Sequence, residues 1–351
     1  MSETVLIQAA PLTRFIEELF LASGVPERWS RLMGESLVAA NLRGVDSHGV
    51  QLAAFYLAQL ADGRVDARGT GRVASETGCI MSYDGENALG QVVAQHAVEH
   101  AARMARAHGM GLVVARESNH FGAAAWWAQQ LSVQGLLGIV MCNASSLVAP
   151  WQGRDPVWGT NPICVSAPGE RWLLDMATTT VAMGKIYKAN VNHEPEIPPG
   201  WAMDAEGVPT TSTQAALHGL LMPLGGYKGS GLAMMVEILC GVLSGGAMGS
   251  ELGGLRVEGR PFRVSQFFLA IDIARLMPEA EFNERLDKLI GMVKSTRPAA
   301  GFNEVLVAGE PEWRKEAERR AAGVPVDVPL WHSLNGWAKR LKVTAPPPGA
   351  A

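Results

Sequence analysis

Apolar residues along this chain recur with two periods, and the alternation between them lays out an α/β protein. Residues 11–22 carry Leu12, Phe15, Ile16, Leu19 and Phe20 at helical spacing, and Gly24 closes the run. Pro26 opens a second helix reaching residue 41, as a first-turn proline can. A turn at 43–49 leads into a third helical stretch over 50–60. Residues 72–83 read as a strand and 84–87 as a turn, where Asn87 can cap a long helix reaching residue 108. The apolar run 110–116 predicts a buried strand, and the Ala- and Trp-rich run 123–131 predicts a helix after it. Residues 135–142 form another buried strand; 163–167 and 172–176 follow as strands, with Thr178, Thr179 and Thr180 in a polar turn. Residues 190–213 hold prolines and glycines without apolar pairing, which predicts an extended excursion with a turn at 205–207. Glycine-rich 224–231 opens an apolar helix of small residues. Residues 266–272 predict a strand, 279–294 an amphipathic helix, 302–310 a strand and turn, and 312–321 a charged helix. The Pro- and Ala-rich tail from 344 has nothing to pack with and is expected to fray.

Composition narrows the class. The chain has 351 residues, 48% hydrophobic and only 18% charged, which predicts extensive burial, including against a second subunit. A net charge of −4 favours neither nucleic acid nor an anionic membrane as partner. Cys79, Cys142, Cys164 and Cys240 form no C-x-x-C pair and read as reduced thiols; with no secretory signal pattern at the N-terminus, the expectation is a cytoplasmic protein. The longest apolar run, 231–249, contains Glu237 and several glycines, and reads as a packed core helix rather than a membrane span.

Candidate chemistry centres on His120, placed where a buried strand hands over to a helix. Side chains there are held rigidly yet face a cleft, and imidazole carries protons near neutral pH. A capping or packing histidine is the alternative. Gly225, Gly226 and Lys228 form an anion-site candidate: glycines let backbone N–H groups approach a phosphate, and a helix N-terminus adds partial positive charge. The segment matches neither G-x-x-x-x-G-K-[ST] nor G-x-G-x-x-G, so a dinucleotide here is not held by a Rossmann turn; a flexible turn with a solvated lysine is the alternative. His96, Glu99 and His100 match H-x-x-E-H, which would make a zinc hydrolase; chance matches to so short a pattern are common. Asp46 can cap a helix or orient His48. His193, His218 and His332 have no partner pattern and read as structural.

The chain resembles the malate/L-lactate dehydrogenase family of type 2, which includes ureidoglycolate dehydrogenase, sulfolactate dehydrogenase and cyclic-imine carboxylate reductases. The matching stretches are RGVDSHG at 43–49, SNHFG at 118–122, GTNP at 159–162, LDMATT at 174–179, AMGK at 182–185, GVPTT at 207–211 and PLGGYKG at 223–229. They occur in family order and cover nearly the whole chain. The resemblance implies an α/β, non-Rossmann, sulfolactate-dehydrogenase-like fold: a mixed sheet with surrounding helices and a helical N-terminal region. On this view residues 1–70 pack with the C-terminal part, 71–225 and 226–345 are interleaved cofactor- and substrate-binding parts, and 346–351 are a frayed tail. It further implies an intertwined homodimer with NAD or NADP and a small-molecule substrate: a 2-hydroxy acid, its 2-keto partner or a cyclic imine acid. His120 matches the family's proton acceptor and His48 a substrate-side histidine. Asn143, Ala144, Ser145, Thr160, Asp175, Met176, Ala177, Lys228, Gly309, Glu310 and Pro311 fall where the family holds its cofactor. No metal is implied. One departure stands out: family members usually read S-H-G-x-x-R, the arginine gripping the substrate carboxylate, and here that place is Leu52. Either another cation such as Arg43 takes over or the substrate differs there. A catalytically silent relative that binds nicotinamide as a sensor is the second alternative.

Overall fold

The protein, seen in a computed structural model, is described over residues 4–254 and 260–347. A strand, β1 (Thr4–Ile7), precedes three helices, α1 (Ala9–Ala22), α2 (Glu27–Leu42) and α3 (Gln51–Ala61), with a short 3-10 turn at Asp46–His48 before α3. Then come β2 (Arg72–Thr77), β3 (Ile80–Asp84), α4 (Gly90–His108), β4 (Met110–Ser118), α5 (Ala124–Ser132), β5 (Leu136–Cys142), β6 (Ile163–Ser166) and β7 (Leu173–Met176). Next are α6 (Met183–Val191), β8 (Ala202–Met203), β9 (Pro209–Thr210), α7 (Thr213–His218), β10 (Leu220–Leu221) and α8 (Tyr227–Glu237), which runs into a π-helical turn at Ile238–Val242. The chain ends with β11 (Val264–Asp272), α9 (Glu279–Lys294), α10 (Glu310–Ala322), β12 (Val324–Asp327) and α11 (Val328–Leu341).

A seven-stranded mixed sheet in the order β2-β3-β4-β11-β5-β6-β7 carries the molecule. Only β3 and β4 run parallel; β11, the last of these strands in sequence, inserts antiparallel between β4 and β5. Alternate residues of these central strands feed two apolar layers, as the pleat requires. Val113, Ala115, Val140 and Phe268 meet the alanine-rich face of α4 and Trp127 of α5, while Val114, Met141 and Phe267 meet Val236 and Cys240 of α8 and its π turn. The N-terminal helices join the first layer, and β1 pairs antiparallel with β12, tying the start of the chain to its end.

Most predicted elements are present, and the departures have local causes. Residues 72–83 are a hairpin, not one strand: Gly78, at φ 58°, takes the first central position of a two-residue turn. Asn87 does not cap α4. Its side chain is spent on the Arg64 carbonyl, and the helix starts three residues later behind Leu89. Residues 302–309 form no strand, because the edge strand β7 offers them a single bond, Leu173 N–H to the Ala308 carbonyl. The excursion at 190–213 contains β8 and β9, which join β10 in a small antiparallel sheet with the turn at Gly207. Strands β1 and β12 and helices α6, α7 and α11 went unpredicted. Residues 343–347 lack regular structure, and the rest of the expected frayed tail lies outside the described residues.

Candidate active site

His120 stands on the loop that joins β4 to α5, and that loop is pinned from every side. Gln266 of β11 donates to Ser118 Oγ (2.9 Å) and to the Asn119 carbonyl (3.3 Å). Asn119 Nδ2 donates to the Ala88 carbonyl (2.8 Å), and Trp127 Nε1 to the Phe121 carbonyl (3.0 Å). Gly90 opens α4 against this loop, and a Cβ there would lie 2.2 Å from the Asn119 carbonyl oxygen and 2.3 Å from that of His120. Only glycine lets the loop come so close.

The imidazole of His120 meets Tyr56 Oη at 2.6 Å through Nδ1, and the Gly122 N–H points at the same nitrogen from 3.3 Å. The Tyr56 hydroxyl can donate to Nδ1 or accept from it, so the neutral ring has two forms: with Nδ1 bare it accepts from Tyr56 and Gly122 and carries its proton on Nε2; with the proton on Nδ1 it donates to Tyr56 Oη and leaves on Nε2 the lone pair that can accept a proton. Crowding by protein, reinforced by His48, pushes the pKa of His120 down to about 3. The ring is nevertheless only half-buried, so it lies in a cleft a small molecule can reach. His48 stacks on it with centroids 5.7 Å apart and planes 23° apart, shares a hydrogen bond with Ser47 Oγ at 3.0 Å, and is likewise held below the usual imidazole range by burial.

Helix α3 supplies the wall. Tyr56 is one turn beyond Leu52 on α3, so the two share a helical face, and Tyr56 of that face meets His120; His48 stands on the 3-10 turn just before the helix. Tyr56 was not singled out in the sequence; its spacing of one turn from Leu52 was the available signal. Among the described residues, no lysine or arginine bears on either imidazole. Arg43 goes elsewhere. Its guanidinium is buried, 3.8 Å from Glu316 of α10, next to Asp175 and Cys164, and all three nitrogens lack a hydrogen-bond partner. Asp46 neither caps α3 nor orients His48: it pairs with Arg319 (3.0 Å to Nη2) and with Asn41 Nδ2 (2.6 Å), which anchors the His48 turn to α10.

The other candidate residues gather beyond His120 along the end of β7. Asp175 accepts the Ala125 N–H at 2.9 Å, at the start of α5. Surrounding protein raises its pKa to about 6, yet its side chain is open to solvent, so it too faces a cleft. Past Asp175, Met176 and Ala177, the Thr178 N–H binds the Thr160 carbonyl (2.9 Å) and the Thr178 carbonyl accepts the Leu224 N–H (2.9 Å). That stitches Thr160 to the turn at Gly225 and Gly226, whose positive φ values of 58° and 66° launch α8, with Lys228 exposed in its first turn. Asn161 Oδ1 holds the Ala144 N–H (3.1 Å), bringing Asn143, Ala144 and Ser145 to the same rim. Gly309, Glu310 and Pro311 start α10 near the other end of β7; Glu310 is paired with Lys294 and accepts the Val307 N–H at 3.1 Å. Solvent-facing Asp175 and a lysine at a helix N-terminus with bare backbone beside it form a donor and acceptor set suited to ribose hydroxyls and a pyrophosphate.

Two other features do not converge on this cleft. His96 and Glu99 of α4 lie 3.7 Å apart, Glu99 is paired with Arg28 at 2.7 Å, and among the described residues no three His, Cys, Asp or Glu could hold a metal ion. An apolar cavity of about 340 Å³ sits between α9 and β5–β6, lined by Leu137, Trp172, Phe282 and Ile290 among others, without a titratable group.

Residues 7–335 match the family described as malate/L-lactate dehydrogenase. The malate dehydrogenase of Pyrococcus horikoshii is 37% identical over 344 residues, 95% of this chain and 94% of that one. The NAD(+) ureidoglycolate dehydrogenase of Escherichia coli K12 is 32% identical over 332 residues, 93% of this chain and 94% of that one. The solved structure of sulfolactate dehydrogenase from Methanocaldococcus jannaschii superposes with a TM-score of 0.91 at 32% identity, covering 98% of each chain. The chain is an oxidoreductase and belongs to the malate/L-lactate dehydrogenase family.

Proposed function

We propose that this protein interconverts a small 2-hydroxy acid and its 2-keto partner, or reduces a cyclic imine acid, with His120 exchanging the proton. The observation that carries the reading is His120 itself: a neutral imidazole in a cleft, its Nδ1 bound by Tyr56 at 2.6 Å, its Nε2 free. Bound nicotinamide supplies or accepts the hydride at the substrate carbon. In oxidation the ring carries its own proton on Nδ1, donated to Tyr56 Oη, and the Nε2 lone pair takes the substrate hydroxyl proton as the carbon loses hydride and becomes a carbonyl; in reduction the imidazolium returns its Nε2 proton to the carbonyl oxygen. His48, stacked on His120, positions the same substrate oxygen. Lys228 and the N-terminus of α8 would hold the pyrophosphate, and Asp175 a ribose hydroxyl; Asn143, Ala144, Ser145, Thr160, Met176, Ala177, Gly309, Glu310 and Pro311 complete that side. The name of the Escherichia coli relative favours NAD over NADP.

Leu52 narrows the substrate. The leucine at 52 cannot balance a carboxylate, so the substrate group that meets this part of α3 is expected to be uncharged. A second copy of the chain is expected to cover the apolar stripe on α8 and its π turn, where Met234, Ile238, Val242 and Leu243 are 52%, 46%, 56% and 54% exposed. Reduced thiols and the relatives' kind of chemistry suit the cytoplasm; no described helix is long and apolar enough to cross a membrane.

Thermal shift with NADH and NADPH side by side, followed by turnover of His120→Ala, tests the reading. The variant should keep its cofactor shift and lose about 10²- to 10⁴-fold in rate. No shift with either dinucleotide, or a variant as fast as the parent protein, would overturn it.

A further inference from the structure

One buried carboxylate has no role in the proton chemistry and yet connects the segments expected to hold the dinucleotide. Glu237, the last residue of α8, is 3% exposed. One of its oxygens accepts Asn161 Nδ2 at 2.9 Å; the other accepts Asn143 Nδ2 at 3.2 Å and the Gly249 N–H at 3.2 Å. Among the described residues it has no cationic partner; its titratable neighbours are the thiols of Cys142 and Cys240, both held protonated by burial. Burial raises the pKa of Glu237, three N–H donors oppose that rise by favouring the carboxylate, and each asparagine spends its other end on backbone. Asn143 Oδ1 takes the Ser265 N–H of β11 at 2.8 Å, and Asn161 Oδ1 takes the Ala144 N–H at 3.1 Å. Asn161 sits at φ 36°, a conformation that a non-glycine residue keeps only when its surroundings impose it.

The geometry points to Glu237 as a positioning residue for the dinucleotide. Its helix begins at the Lys228 turn and rises about 1.5 Å per residue, so nine steps put residue 237 roughly 14 Å along the axis from Lys228. From there it sets where the Asn143–Ser145 and Thr160–Asn161 segments stand relative to that turn. A packing role would need only bulk at 237. A positioning role needs an acceptor at both oxygens, because each faces an N–H donor. Glutamine, nearly the same shape, must turn its NH2 toward one of those donors and drive that asparagine away.

The inference rests on dinucleotide binding as proposed above, and one titration series separates the two. NADH and NADPH are titrated by fluorescence into the full-length parent protein, Glu237→Gln and Glu237→Asp, alongside melting curves and steady-state kinetics. For Glu237→Gln the expected result is a Kd at least about 10-fold higher, exceeding any fall in kcat at saturating cofactor, with Glu237→Asp in between because it keeps both acceptors. Folded Glu237→Gln protein that binds within twofold of the parent would overturn the inference while leaving the proposed function standing. Should Glu237→Gln fail to fold, Glu237→Asp decides: a lowered melting temperature with parental Kd overturns the positioning role, and a raised Kd in folded protein supports it. A parent protein that binds neither dinucleotide overturns both.

Discussion

Replacing Tyr56 by Phe removes one oxygen atom and little else. Tyr56 is 3% exposed and packed in the main core, and the Phe ring fills the same space, so the loss falls on the hydroxyl's own contacts, the 2.6 Å bond to His120 Nδ1 and its interaction with buried Gln91. That bond changes character during the reaction. In the neutral ring that acts as base, Nδ1–H donates to the tyrosine oxygen and Nε2 holds the lone pair; once Nε2 has taken the substrate proton, the same Nδ1–H bond is donated by a cation. The tyrosine oxygen accepts in both states, whereas the Gly122 N–H can accept in neither. A neutral hydrogen bond contributes about 0.5–1.5 kcal/mol and one to a charged group about 1.5–3 kcal/mol, so the change in charge is supported by about 1–1.5 kcal/mol. Removing that support should slow the oxidative step by about 5- to about 12-fold. Stopped-flow measurement of NADH formation at saturating substrate reads the step directly, and NADH binding, which does not involve Tyr56, should stay at the parental value. An oxidative rate within twofold of the parent, in protein with the parental melting temperature, would refute the claim that Tyr56 supports the imidazolium. A drop confined to dinucleotide affinity would refute it equally.

Two further outcomes test the same cleft. Leu52→Arg places a guanidinium one turn from His48, and a charge-assisted bond to a carboxylate should raise kcat/KM for malate by about 10- to about 150-fold; a wild-type protein already turning over malate with a low KM would remove the reason for the change. Stability against pH should show opposed contributions. Folded His120 titrates near 3 against 6.5 when free, so the unfolded chain binds more protons between those values, and stability is full above pH 6.5 and falls as the solution is acidified. Folded Asp175 titrates near 6 against 3.8, so it destabilises as pH rises through that interval. Melting curves should therefore show His120→Gln gaining on the parent as pH falls from 7.5 to 5, and Asp175→Asn gaining as it rises from 4 to 7; trends of the reverse sign would contradict the direction in which the surrounding protein shifts these groups.

The sequence alone carried the central strands and most of the longer helices, because their apolar periods survive any arrangement, and it nominated His120 and the glycine-lysine turn, because strand-to-helix handovers and glycines at a helix start have local chemistry. It could not carry what depends on partners distant along the chain. Whether residues 72–83 were one strand or two rested on Gly78, and whether 302–310 paired rested on what the edge of β7 had to offer. Insertion of β11 between β4 and β5 brings Gln266 beneath the His120 loop, and no local pattern announces a contact across 148 positions. Tyr56 read as one apolar position of a helix until folding set its hydroxyl against an imidazole 64 residues away, and Glu237 read only as a charge interrupting an apolar run until two asparagines, one just after β5 and one just before β6, closed on it. A period along the chain dictates which face of an element is buried; what that face then meets depends on how the elements pack, and at this site packing chose the partners.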